Sequence, residues 1–169
     1  MARRMCTSLT PGCALSPDLY PIPLSNLVAR MDHELGESAS LYYVARRDWW
    51  VPDPGLDTSL VHLGKRIATP SGPASGPHTQ LAQNLVMSWL TGGRFMELKT
   101  VQIDDELVIP RPCIHTPHVG YNVEWSQELK LEASLEEYVK GSMLIEMLVA
   151  SGRLDLQPGF EKTIFDMSV

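Results

Sequence analysis

The sequence predicts an α/β fold built on a parallel sheet with right-handed crossovers. From Val61 onwards, short apolar segments alternate with helical segments in the order strand, helix, strand, helix, strand. Apolar residues make up 44% of the 169 residues, which is typical of a globular protein rather than a disordered one. The chain is therefore long enough for one domain with a buried core.

The first third of the chain is predicted to be an N-terminal extension, residues 1–60, before the β/α units of residues 61–169. Its start, up to about residue 23, is rich in proline and irregular. The stretch PLSNLVARMDHELGES has apolar residues at helical spacing and predicts a short amphipathic helix with Ser25 as a possible N-cap. In SLYYVARRDWWVPDPG, arginines mixed with aromatics could stack on nucleic acid, but packing of the extension onto its own domain is favoured because the chain is acidic.

The β/α units follow in order. VHLGKRIATP predicts a strand that leads into a turn rich in glycine and proline, and TQLAQNLVMSWLTGG predicts a helix closed by Gly92 and Gly93. RFMELKTVQI predicts a second strand, and a long polar loop follows from residue 104 to about 126. KLEASLEEYVKGSMLIEMLVASGR predicts a second amphipathic helix ending at Gly152, and KTIFDMSV begins a third strand.

Composition excludes several classes of function. The net charge is -6 with no basic stripe, so a nucleic-acid partner is not expected. The three cysteines, Cys6, Cys13 and Cys113, form no CxxC, which argues against a disulfide framework and favours a reducing, cytoplasmic compartment. No apolar run approaches the roughly 18 residues that span a bilayer, and the polar N-terminus does not resemble a signal peptide. The sequence predicts a soluble protein without a membrane partner.

Reactive groups of parallel α/β folds gather at the carboxyl ends of the strands, which here include the turn SGPASGP and the segment LKTVQ. Lys99 is a cation where a buried strand would carry apolar side chains. The strand could end early and leave Lys99 solvated, or Lys99 could form an internal ion pair with Glu97. The carboxyl ends of the strands would surround one shared crevice or barrel mouth. If Lys99 points into this mouth beside the turn, the lysine and the turn together suit a flat anionic ligand such as a reduced flavin, because small residues allow close approach. The turn lacks GxGxxG and GxxxxGK[ST] spacing, which makes a nucleotide phosphate a weaker candidate.

CIHTPH, residues 113–118, places one cysteine and two histidines within six residues, as a metal site would. Pro117 restricts their geometry, and no fourth ligand stands at a recognised spacing. We therefore predict no metal site.

Several stretches resemble one known family: TPSGPASGPHTQLAQNLVMSWLTGGRFMELKTVQ, PCI, GYNVEWSQEL and IFDMSV. They are similar to the N-terminal region of the selenate reductase subunit family, large bacterial flavoproteins related to the glutamate synthase small chain. The front portion of that family is similar to dihydroorotate dehydrogenase, a TIM barrel that holds FMN. The resemblance is close over residues 67–169. It implies about three β/α units of an incomplete, dihydroorotate dehydrogenase-like TIM (β/α)8 barrel after an irregular and helical extension.

The resemblance also implies a cofactor site. Its residues share a position near the flavin in the related dehydrogenases: Ala74, Ser75, Gly76, Lys99, Asn122 and Asp166. The Ala-Ser-Gly turn would lie against FMN, Lys99 would contact the flavin, and Asn122 would face flavin and substrate. Asp166 stands where relatives usually carry asparagine, and a carboxylate there would disfavour negative charge on a reduced flavin unless it is protonated or paired.

The function implied is that of an N-terminal fragment of a flavin-dependent oxidoreductase. A TIM barrel takes about 250 residues, so three strands are expected to be inactive alone, with catalytic residues unassigned. The expected partners are the remainder of the barrel and downstream domains that carry FAD, NADPH and iron-sulfur sites for electron transfer. The alternative is a noncatalytic scaffold that has lost FMN and assembles an electron-transfer subunit.

Overall fold

The computed structural model describes residues 19–37, 39–74, 76–101, 103 and 129–166. Helices and short strands alternate along these residues, with 3-10 turns at Arg46–Asp48 and Pro77–Gln80. The elements are α1 (Leu24–Glu37), β1 (Ser40–Leu41), β2 (Val44–Ala45), β3 (Leu60–His62), β4 (Lys65–Ile67), α2 (Ala82–Leu90), β5 (Phe95–Glu97), α3 (Leu131–Ala150) and β6 (Ile164–Asp166). The polar loop predicted from residue 104 lies outside the described residues.

All three predicted helices are present, and two of them end as the sequence predicts. After α2, Gly92 has φ of +104°, and after α3, Gly152 has φ of +65°. Glycine carries no Cβ and so adopts this left-handed conformation without a steric cost, which makes it a frequent residue after a helix. None of the helices in the described ranges is long and apolar enough to cross a membrane. The cytoplasmic location stays a prediction.

The predicted N-cap of α1 is wrong. The helix begins at Leu24, and the Pro23 carbonyl accepts hydrogen bonds from the N–H groups of Asn26 and Leu27. Ser25 therefore lies inside the first turn, where its hydroxyl contacts the Asn26 side chain. Proline fits before the helix because its ring already fixes φ near the helical value.

The first predicted strand is also corrected. VHLGKRIATP does not run as one strand, because β3 and β4 pair antiparallel around Leu63 and Gly64. Both turn residues have positive φ, 47° and 76°, which gives a two-residue hairpin whose twist matches its strands. The His62 ring packs edge-on against Phe95 at 5.1 Å, so the hairpin lies at the N-terminal end of β5.

The parallel arrangement predicted for the later strands is confirmed. β5 pairs parallel with β6, in the register Phe95 with Ile164, Met96 with Phe165, and Glu97 with Asp166. α3 lies between them in the chain and packs against α2, as a β/α crossover requires. The two strands and two helices are consistent with a partial barrel.

The helices of the extension and of the β/α units share one core. Its buried members are Leu27, Met31, Leu35, Leu41, Tyr42, Ala82, Val86, Trp89, Leu90, Met96, Leu144, Ile145 and Leu148. The Tyr42 hydroxyl donates to the Leu27 carbonyl oxygen at 2.7 Å, which ties the β1–β2 turn to α1. The extension therefore packs onto its own domain, and the boundary proposed at residue 60 stays a prediction.

Candidate functional site

Three chain segments run side by side in the same direction toward one end of the sheet. β5 and β6 are two of them, and residues 68–74 are the third. Thr69 Oγ1 donates to the Gly92 carbonyl oxygen at 2.8 Å, and the N–H groups of Arg94 and Phe95 donate to the Ser71 carbonyl oxygen at 2.8 and 3.1 Å. These contacts, with the close approach of Gly72 to Phe95, show that residues 69–72 run alongside residues 92–95 in the same direction.

Glycine is required where the segment of residues 68–74 touches β5. A Cβ added at Gly72 would lie 1.5 Å from the Phe95 carbonyl oxygen, closer than any real contact. Because a backbone atom cannot move aside as a flexible side chain can, any larger residue would push the segment away from β5. Gly72 therefore lets the chain approach β5 closely just before it turns at residues 74–76.

The residues of the turn lie in different surroundings. Ala74 is exposed, whereas Gly76 is buried. The Gly76 N–H donates to Thr79 Oγ1 at 3.0 Å, and the Thr79 hydroxyl and N–H both donate to the Gly76 carbonyl oxygen. These bonds fold the turn back on itself, so that the Gly76 N–H is already engaged. Ser75, predicted in the same site, lies outside the described residues.

Lys99 is the second residue after β5, which ends at Glu97, and it is partly buried. Its Nζ donates to the Thr100 carbonyl oxygen at 3.1 Å, and its own carbonyl oxygen accepts a hydrogen bond from the Tyr138 hydroxyl at 2.7 Å. Within the part of the chain that the structure describes, no ion pair joins it to Glu97. The strand therefore ends before Lys99, as one of the alternatives from the sequence has it, and the side chain lies just beyond the carboxyl end of β5.

Asp166 lies on the same face of the sheet as Lys99. Met96 and Leu98 are buried against the helices, so the alternate residues Glu97 and Lys99 lie on the opposite face. Asp166 is the register partner of Glu97, and its carbonyl oxygen accepts from the Leu98 N–H at 2.7 Å. The face that a complete barrel would enclose therefore carries two carboxyl groups and one ammonium group near its carboxyl end.

Asn122 and the CIHTPH segment, both considered from the sequence, lie outside the described residues. Among the residues the structure does describe, no group of three histidines, cysteines or acidic residues could hold a metal ion. Two arginines of the extension, Arg30 and Arg46, lie over aromatic rings of the extension. Arg46 lies over the Trp49 ring at 5.0 Å, and the Trp49 Nε1 donates to the Val44 carbonyl oxygen at 3.0 Å.

Sequence reasoning missed a group of buried polar residues on α3, which faces the start of α2 and the carboxyl end of β5. Three of them contact these elements: Ser134, Glu137 and Tyr138. The Ser134 hydroxyl donates to Gln80 Oε1 at 3.2 Å, and Glu137 Oε2 accepts from the Ala82 N–H at 2.7 Å. Burial raises the pKa of Tyr138 to about 12. A charged residue on the otherwise apolar stripe of α3 was the signal that could have found them.

Comparisons with known proteins place this arrangement in a family. Residues 43–169 match the model described as oxidoreductase YgfK, N-terminal TIM-barrel domain. The chain is 43% identical over 153 residues to oxidoreductase YgfK of Escherichia coli strain K12, and equally to that of Escherichia coli O157:H7. The match covers 89% of this chain and 14% of each of these curated relatives. No solved structure matches.

The family match spans three quarters of the sequence and includes every β/α element described above. Its TIM-barrel description agrees with the parallel pair β5–β6 and the crossover helix between them. The chain therefore belongs to the family of the oxidoreductase YgfK N-terminal TIM-barrel domain.

Proposed function

We propose that this chain forms the first strands of a flavin-binding barrel in an oxidoreductase. The observation that carries the proposal is the position of Lys99 just beyond the carboxyl end of β5, which is the end where TIM barrels bind ligands. The segment that leads to Ala74 runs alongside β5 in the same direction over residues 69–72. A flat ring can lie against small residues while a cation contacts its edge.

The residues present fit a flavin in two respects. Lys99 would hold the edge of the ring where negative charge collects on reduction, near N1 and the C2 carbonyl group. Ala74 is exposed and small, so a ring could approach the backbone there. The Gly76 N–H is engaged with Thr79, so the turn would contribute shape rather than that donor. Ser75 and Asn122 are further proposed contacts.

A bound flavin supplies hydride and one-electron transfer chemistry that amino acids lack. In this proposal the chain's own residues bind and orient it: Lys99 stabilises negative charge, and the turn fixes the plane of the ring. Asp166 and Glu97 lie on the same sheet face and set the local charge. NADPH, FAD and iron-sulfur centres, electron transfer to an acceptor such as selenate, and contacts with the remaining barrel are proposed for the longer relatives.

A scaffold without FMN is the second candidate, and one observation favours it. Glu97 and Asp166 are direct register partners, which brings two carboxyl groups together on the face toward the proposed flavin. Carboxylates so close to the ring oppose negative charge on the reduced flavin wherever they are neither protonated nor paired. In that case the barrel would serve to assemble an electron-transfer subunit.

The test is the visible spectrum of the complete polypeptide that the gene encodes. We expect bound flavin, identified as FMN after denaturation, and we expect Lys99→Ala to weaken its binding by about tenfold, the effect of one charge-assisted contact. Lys65→Ala is the matched control, because Lys65 is exposed on the hairpin at the other end of β5. Purified protein with FAD and iron-sulfur bands but no FMN would support the scaffold instead.

A further inference from the structure

One face of α3 carries three buried polar side chains within two turns. Ser134, Glu137 and Tyr138 are 1%, 1% and 7% exposed. Their neighbours on this face are apolar or glycine, and Gly141 lies so close to α2 that a Cβ there would be 2.6 Å from Leu85. Polar groups packed this tightly lose their water and must find partners in the protein.

Their partners lie in two places, at the start of α2 and just beyond the carboxyl end of β5. Ser134 and Glu137 contact Gln80 and the Ala82 N–H at the start of α2. Tyr138 contacts the Lys99 carbonyl oxygen beyond β5. Two adjacent residues of one rigid helix thus hold the two features from which the flavin site is proposed.

Glu137 is a buried carboxylate with two partners. A buried carboxylate loses hydration, and replacing a buried ion pair by apolar residues of similar volume is often neutral or stabilising. The carboxylate also contacts the Lys140 ammonium group, which in turn donates to the Ile22 carbonyl oxygen. The contact with Ala82 fixes where α2 begins, and therefore where the preceding turn lies.

Tyr138 acts just beyond the end of β5 at Glu97. There the Leu98 N–H donates to the Asp166 carbonyl oxygen. The hydroxyl of Tyr138 then fixes the carbonyl group of Lys99, one residue further along. Because a backbone held at its carbonyl group limits the directions of its side chain, Tyr138 aims the ammonium group.

We propose that Glu137 and Tyr138 are positioning residues that set the positions of Gly76, which precedes the 3-10 turn leading to α2, and of the Lys99 ammonium group. This inference rests on the proposed flavin site. Neither side chain contacts the ligand. Tyr138 acts through Lys99 and Glu137 acts through the turn, so the two should affect different properties of the flavin.

The test of Tyr138 is a double-mutant cycle in the complete polypeptide, with Tyr138→Phe, Lys99→Ala and the double variant. We expect Tyr138→Phe to weaken flavin binding about fivefold, the value of one hydrogen bond, and to lower the flavin reduction potential in the same direction as Lys99→Ala. In the Lys99→Ala background the second substitution should leave the potential unchanged, because the cation through which Tyr138 acts is gone. Tyr43→Phe, on a side chain 80% exposed, is the matched control.

Glu137 is tested by Glu137→Leu and Glu137→Gln. Leucine removes the acceptor for Ala82 and shifts the turn, which contacts oxidised and reduced flavin alike, so binding should weaken about fivefold with no change in potential. Glutamine keeps an acceptor oxygen, so binding should stay within about twofold of the wild type. A change in potential in Glu137→Leu, or equal losses for both variants, would overturn this role.

The possible failures are distinguishable. If Lys99→Ala leaves flavin binding and potential unchanged, or if the polypeptide holds no flavin in this domain, the proposed function fails and the positioning roles fail with it. If Lys99→Ala has its effect and Tyr138→Phe has none, or if the two effects simply add, only the positioning role of Tyr138 is wrong.

Discussion

The two ends of the parallel segments each carry a cation, and the two cations are held differently. At the N-terminal end, Arg94 is 1% exposed and donates to the carbonyl oxygens of Trp89, Gly93 and Phe160 at 2.6 to 2.8 Å. Its guanidinium group lies 4.0 Å from the Trp89 ring centre and 5.1 Å from that of Trp50. At the carboxyl end, Lys99 is partly buried and its ammonium group contacts the carbonyl oxygen of its neighbour.

The difference distinguishes a structural role for Arg94 from the binding role proposed for Lys99. Burial lowers the pKa of Arg94 to about 10, with Glu161 opposing the shift, so the group stays charged at neutral pH and its contacts compensate for lost water. A cation engaged in this way joins elements of the fold and has little capacity for a ligand. Lys99 carries the same charge at the other end of β5 but is less enclosed, as the proposed contact with an anionic group requires.

The largest effect should come from Arg94→Ala. The substitution removes three hydrogen bonds to carbonyl oxygens and leaves a cavity between two tryptophans, so we expect the free energy of unfolding to fall by about 3–5 kcal/mol. Urea unfolding followed by tryptophan fluorescence measures it. Arg66→Ala removes an exposed arginine of β4 and should change stability by about 0.5 kcal/mol or less. Similar losses for the two variants would remove the distinction between the ends.

Gly92→Ala should destabilise the same end by a smaller amount. Gly92 has φ of +104°, and an added Cβ would lie 2.9 Å from Trp50 Cγ, so we expect a loss of about 1–3 kcal/mol. Gly36→Ala is the matched control, because Gly36 lies inside α1 with open space around its Cα. There alanine should be neutral or stabilise by up to about 1 kcal/mol. An equal response to both substitutions would contradict the close packing of Trp50 on Gly92.

The free energy of unfolding is expected to depend on pH through Tyr138. Burial raises the pKa of Tyr138 to about 12 from 10.0, so between these values the folded state keeps a proton that the unfolded state has lost. The free energy of unfolding should therefore fall as the pH rises through this range. Arg94, with its lowered pKa, acts in the opposite direction over an overlapping range, and Tyr42 acts in the same direction as Tyr138.

The difference between two proteins isolates Tyr138 from these other groups. Urea unfolding of the wild type and of Tyr138→Phe, measured from about pH 9 upwards, should give curves that converge because the variant lacks this proton-linked loss. Tyr43→Phe should run parallel to the wild type. Curves for Tyr138→Phe that also stay parallel would show that the phenol is not buried as described.

The sequence predicted more of the fold than of the site. Apolar spacing located all three helices, and Gly92 and Gly152 located two of their ends, because these signals are local. The pairing of β3 with β4 was missed because Leu63 takes a positive φ that its residue type rarely adopts. Lys99 was singled out because a cation in an apolar strand is conspicuous, and its place in a binding site stays a prediction.

The supporting residues could not be located in the same way. The contacts of Glu137 with Ala82 and of Tyr138 with Lys99 join residues 55 and 39 positions apart in the chain. No local pattern encodes such a distance, and only the packing of α3 across α2 and β5 brings the partners together. The same holds for Arg94 and Phe160, which are 66 positions apart.

The smallest effect on stability should come from Lys99→Ala, within about 0.5 kcal/mol in urea unfolding, because its ammonium group is held by a neighbour's carbonyl oxygen rather than by distant elements. The backbone contact with Tyr138 does not depend on the lysine side chain and should survive. Compared with Arg94→Ala, the same kind of change at the two ends of β5 would then differ by several kcal/mol. A large loss of stability in Lys99→Ala would mean that both cations stabilise the fold, and it would contradict the proposed binding role of Lys99.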